Sequence, residues 1–94
     1  MPSTTEHVIG GIDTHKETRH ATVLTVFGRF LADRQFPATA SGHRDLLDWL
    51  RSFGTVDAIG VEGTGSYGAL LTRLLTSEGE RVIGIRDLAA LHLR

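Results

Sequence analysis

The stretch Ile59-Gly60-Val61-Glu62-Gly63-Thr64-Gly65-Ser66-Tyr67-Gly68 constrains this chain most. An apolar run ends in a carboxylate, and glycines then open an amphipathic segment. Residues 56–61 read as a buried strand. Glu62 stands at its carboxyl end, where open α/β sheets gather ligands and chemistry. An earlier apolar run, Val8-Ile9-Gly10-Gly11-Ile12, is closed by Asp13 in the same way. Two strands that each end on an acid suggest a site for divalent metal.

With 94 residues the chain has room for one domain, a sheet with helices on it. The absence of cysteine excludes a disulfide framework and a thiolate metal site. Residues 1–7 do not read as a signal peptide, and no apolar run approaches the roughly 20 residues that span a bilayer. The expectation is a cytoplasmic protein with no membrane partner. A net charge of −1 gives no whole-domain pull towards nucleic acid. Nine of the ten basic residues are arginine. Arginine suits bidentate phosphate contacts, although codon usage accounts for the bias as well.

In chain order, residues 1–6 form a polar, disordered lead-in, and residues 7–13 form a first strand. Residues 19–27 form a second strand, rich in Thr, Val and Leu. Phe27-Gly28-Arg29-Phe30 reads as a two-residue hairpin loop of type II′, with glycine supplying the positive φ. Residues 30–36 follow as an edge strand ended by Pro37. A helix then starts with Ser41 as N-cap and Asp45 in its early turns, and Gly54 stops it. Its apolar stripe is Leu46, Leu47, Leu50 and Phe53, with Trp49 as a core or rim aromatic. The fourth strand runs to Glu62. A second helix, residues 66–77, carries Tyr67, Leu70, Leu71, Leu74 and Leu75 on one stripe, and residues 81–85 form a fifth strand.

The order β-β-β-α-β-α-β makes the first three strands an antiparallel meander. The first, fourth and fifth become parallel neighbours joined by right-handed crossovers. The expected fold is α/β with a mixed sheet in the order 3-2-1-4-5. Asp13 and Glu62 then lie side by side at the carboxyl ends of adjacent central strands. Such a pair can bridge divalent ions, and hard carboxylate oxygens suit Mg2+ or Mn2+.

Gly11-Ile12-Asp13-Thr14-His15-Lys16, followed by Gly60-Val61-Glu62-Gly63-Thr64-Gly65-Ser66-Tyr67-Gly68, closely resembles one family. It is the amino-terminal RuvC-like domain of DEDD-type insertion-sequence transposases, some guided by a bridge RNA. The resemblance covers roughly residues 7–85 and implies a ribonuclease H-like fold over residues 7–86. It implies that Asp13 and Glu62 are the first two carboxylates of a metal-binding tetrad. It also implies DNA and a structured guide RNA as partners, with a second copy or a full-length transposase as a further one. The family places its last two acids in an Asp-x-x-Asp pattern beyond the fifth strand and adds a domain with a serine nucleophile. Here Asp87 is followed by Leu88-Ala89-Ala90-Leu91. Residues 87–94 are therefore expected to be a truncated tail, and the chain to be inactive alone.

Each candidate has a plainer role beside the functional one. Asp13 suits an Asx turn, Glu62 a solvated strand end, and Asp87 the cap of a short helix. His15 and Lys16 suit either a turn or a phosphate contact, as Gly63, Thr64 and Gly65 suit close approach to nucleic acid. Ser66 reads as the N-cap of the second helix, Tyr67 as a packing residue and His20 as structural. A rival reading takes Gly63-x-Gly65-x-x-Gly68 as a dinucleotide-binding fingerprint for NAD. Glu62 stands against it, because a carboxylate just before the loop repels a pyrophosphate. A third reading is a non-catalytic nucleic-acid-binding module.

Overall fold

The computed structural model describes residues 6–62 and 66–84, with the backbone alone for Ser66 and Tyr67. Its elements are β1 (His7–Thr14), β2 (Thr18–Thr25), β3 (Phe30–Pro37), α1 (Ala40–Arg51), β4 (Thr55–Glu62), α2 (Ser66–Ser77) and β5 (Val82–Gly84). They form one mixed sheet in the order β3-β2-β1-β4-β5. The β1–β2 and β2–β3 pairs are antiparallel, and the β1–β4 and β4–β5 pairs are parallel. This is the α/β mixed sheet expected from the order of elements, and it is consistent with the ribonuclease H-like fold that the resemblance implies.

Both helices pack on one face of the sheet. Val8, Ile12, Ala21, Val23, Phe36 and Ile59 meet Leu46, Leu47 and Leu50 of α1 and Leu71 and Leu75 of α2 there. The alternation of strand side chains sends the intervening residues to the opposite face. On that face Ile9 and Ala58 are buried, with Leu24, Val26 and Ile83 beside them. Trp49 lies at the rim of the main core. It packs on Phe36 and edge-on to Phe53, with ring centroids 5.7 and 5.1 Å apart.

Several local expectations need correction. The β2–β3 loop is not a two-residue type II′ turn. Gly28 N donates to Thr25 O at 2.9 Å and Thr25 N to Arg29 O at 2.8 Å, so Val26, Phe27 and Gly28 form a three-residue loop. Gly28 has φ of 86°, the left-handed conformation this loop needs at its last position. The N-cap of α1 is Thr39, not Ser41: Thr39 Oγ1 accepts from Gly42 N at 3.0 Å. A side chain at Gly42 would run into the carbonyl of Pro37, so the first turn of α1 lies hard against the end of β3. The helix ends at Arg51 with Ser52 as C-cap, ahead of Gly54. Glycine is required at 54 for another reason. Its φ is 147°, and a Cβ would sit 2.6 Å from the carbonyl oxygen of Glu6 at the entry to β1. Leu70 is 65% exposed and does not join the core with Leu71 and Leu75. The fifth strand starts at Val82, one residue later than expected, and is described as far as Gly84. The side chain of Tyr67 and the expectations for Ile85, Asp87 and the tail lie outside the described residues, as do residues 1–5 of the lead-in.

An ion-pair network ties α1 to the end of α2. Arg51 reaches Glu80 at 2.7 Å and Glu78 at 3.5 Å, and Arg44 reaches Glu78 at 3.2 Å. The hydrogen bond and charge of Arg44 hold the Glu78 carboxyl below its ordinary value. These pairs lie at the surface and are only partly covered, so packing of the leucine stripe contributes more to holding the helix than the charges do.

Candidate functional site

β1 and β4 run parallel, and their register brings Asp13 opposite Glu62. Neighbouring strands lie about 4.8 Å apart, and residues in register send their side chains to the same face. The two acids therefore stand side by side at the carboxyl end of the sheet, on the face away from α1 and α2. Both are exposed. Gly11 and Gly60, also register partners, lie two residues back on the same face and leave it bare of side chains there.

The strand ends are fixed from the other face. Thr14, buried, donates from Oγ1 to the Glu62 carbonyl at 2.9 Å. This bond joins the last residues of β1 and β4 directly and fixes the spacing of the two acids. His15 Nε2 lies 3.3 Å from Asp13 Oδ2, so His15 stands at the site. Lys16 is exposed in the turn that follows. Gly63, Thr64 and Gly65 lie outside the described residues.

Arg19 anchors that turn from beneath. It is only 4% exposed and pairs in register with Thr14. Its Nη1 donates to the carbonyls of His15 and, at 3.0 Å, Thr18. Among the described residues it pairs with no carboxylate, and its Nε has no partner. Burial pulls its pKa down. His43, also 4% exposed, faces the sheet from the first turns of α1, and its Nε2 is likewise without a partner. Burial and then the charge of Arg19 push the His43 pKa below 6.5. A neutral imidazole beside a buried guanidinium avoids two cations in one apolar space.

A depressed histidine pKa has a definite sign in stability. Below the unfolded value the unfolded chain binds a proton that the folded chain refuses, so stability falls as pH falls. The melting temperature is expected to drop as pH goes from 6.5 towards the depressed folded value. The drop should be shallower in His43→Gln, measured by circular dichroism in matched buffers. Equal slopes in both proteins would contradict a neutral, buried His43.

The sequence missed Thr14, Arg19 and His43. Arg19 had a readable signal, because it alternates with Ala21 and Val23 on the inward face of β2. His43 had one too, three residues before Leu46 and seven before Leu50 on the packed stripe. His20, expected to be structural, bonds Asp33 of β3 through Nε2 at 2.8 Å in the open, on the face of the acids.

Chemically, the site offers two hard, acceptor-only carboxylates at one sheet end. That fits a small hard cation which keeps waters and completes its shell with substrate phosphate. Among the described residues no group of three or more His, Cys, Asp or Glu side chains is arranged to enclose a metal. None of the described helices is long and apolar enough to cross a membrane.

No curated protein matches the chain. A family model for transposases, DEDD_Tnp_IS110, matches residues 10–94. The match takes in the acid-bearing ends of β1 and β4 and everything between them, and the chain belongs to this DEDD_Tnp_IS110 transposase family.

Proposed function

We propose that this domain supplies the first two carboxylates of a DNA transposase centre, with Asp13 and Glu62 as joint ligands of Mg2+ or Mn2+. The single observation that supports this reading is their register pairing on adjacent parallel strands. A cation there neutralises charge that develops on a scissile phosphate. The chain's own residues do the rest. Thr14 holds the strand ends together, Arg19 holds the turn after Asp13, and His15 and Lys16 border the acids on the side open to nucleic acid. The Gly63–Thr64–Gly65 segment allows a close approach of backbone to ligand. DNA is the substrate in this reading, a structured guide RNA the specificity partner, and the cytoplasm the compartment. A further copy or a full-length transposase is the protein partner in this reading; a further copy brings only the same two acids, so a full-length transposase is the one that adds others.

Two carboxylates hold a divalent ion more weakly than four, and among the described residues no serine adjoins Asp13 and Glu62. The chain by itself is therefore expected to give no strand transfer. Supercoiled and linear DNA incubated with the chain and Mg2+ test this, with joined and nicked products resolved on a gel. Robust turnover would show that the two acids suffice and would overturn this division of labour.

A further inference from the structure

The register of the sheet puts more than two acids in line. Glu62, Asp13, His20 and Gln35 are successive partners across β4, β1, β2 and β3. Partners in register share a face, so the four form one row across the open end of the sheet. The row is chemically divided. Glu62 and Asp13 only accept hydrogen bonds, whereas His20 and Gln35 carry N–H donors. Asp33, one row further in, opposes Thr22 and reaches diagonally to His20 Nε2 at 2.8 Å. Both partners are about half exposed.

We propose that His20 contacts a backbone phosphate of the DNA strand held at Asp13 and Glu62, and that Asp33 is its positioning residue. The inference rests on the reading of the two acids as a metal site. A phosphate oxygen only accepts, so it is repelled by the acid half of the row and drawn to the donor half. His20 stands one strand, about 4.8 Å, from Asp13, within reach of the nucleotide next to a metal-held phosphate. The bond to Asp33 fixes the imidazole ring, as carboxylates do for functional histidines. With Asp33 on Nε2, the other ring nitrogen remains to face the phosphate. A surface pair kept only to join β2 to β3 needs no place in the acids' row.

His7 and Asp57 provide an internal control. They form the same kind of pair at 2.6 Å, also about half exposed, at the opposite end of β1. The test measures affinity of the whole chain for a fluorescent DNA oligonucleotide by anisotropy, at low salt with Mg2+. Mn2+ affinity is measured separately, without DNA. His20→Ala is expected to weaken DNA binding about tenfold and Asp33→Asn about threefold, with the double variant no weaker than His20→Ala. His7→Gln should change nothing, and Mn2+ affinity should stay at the parent value in every one of these variants. His20→Ala within twofold of the parent, an equal loss in His7→Gln, or no DNA binding by the parent would overturn the proposal. Failure of the metal reading looks different: the parent binds no Mn2+, while the His20→Ala loss of DNA affinity persists.

Discussion

Asp13→Asn and Glu62→Gln are each expected to weaken Mn2+ binding at least tenfold, and the double variant to abolish it. Each change keeps the side chain's shape and removes one formal charge from the pair. A carboxylate about 4 Å from a cation contributes roughly 1–4 kcal/mol at surface dielectrics, and a tenfold change in affinity needs only about 1.4 kcal/mol. The metal-free fold should respond in the opposite direction. Asp13 and Glu62 are like charges directly opposite each other on neighbouring strands. Such pairs destabilise a sheet by roughly 0.2–1 kcal/mol, so either variant should melt slightly above the parent when metal is absent. A site kept for function at a cost in stability gives this crossed outcome, and two ordinary strand-end acids do not. Electron paramagnetic resonance of free Mn2+ reads the affinity, and thermal melts with chelator read the stability. Parent-like Mn2+ affinity in both single variants would remove the metal site from the account of this domain.

The pairing of Asp13 with Glu62 was legible because it depends on topology and on run length. Helical crossovers fix β1, β4 and β5 as parallel neighbours, and both apolar runs end on an acid. Strand neighbours plus similar run lengths place Asp13 beside Glu62 without any side-chain detail. The details that failed depend on contacts far apart in sequence. Ser41 and Thr39 both carry capping hydroxyls, and close packing of Gly42 on Pro37 goes with the cap at Thr39. Leu70 keeps the helical period, but the period does not say how wide a face the neighbouring elements cover. His20 and Asp33 meet because the hairpin loop has three residues and the β2–β3 pairing then shifts by one between Val23 and Leu24. A two-residue loop gives a different register, and a one-residue slip turns every side chain of a strand over. Residues 63–65 and 85–94, where other expectations fall, lie outside the described residues.

Leu50→Ala should have the largest effect on the fold, a loss of about 3 kcal/mol within the usual range of about 2–5 kcal/mol for buried leucines. Leu50 is fully buried in the core that joins α1 to the sheet. Its methyl groups lie against Gly10 of β1, where an added Cβ would meet Leu50 Cδ1 at 3.0 Å and Cδ2 at 3.2 Å. Glycine at 10 and leucine at 50 thus divide one volume between them. A loss of about 3 kcal/mol is a large part of the roughly 5–15 kcal/mol that holds a small domain, and should lower the melting temperature by more than 10 °C. Sharing of volume makes a second expectation. Adding Gly10→Ala to Leu50→Ala places a methyl group in the space just vacated and reduces the freedom of the unfolded chain. Together these should restore about 1 kcal/mol. Urea unfolding of the parent and both variants measures each step. If Gly10→Ala lowers stability further in the Leu50→Ala background, the two residues do not share that space, and another contact sets the distance between α1 and β1.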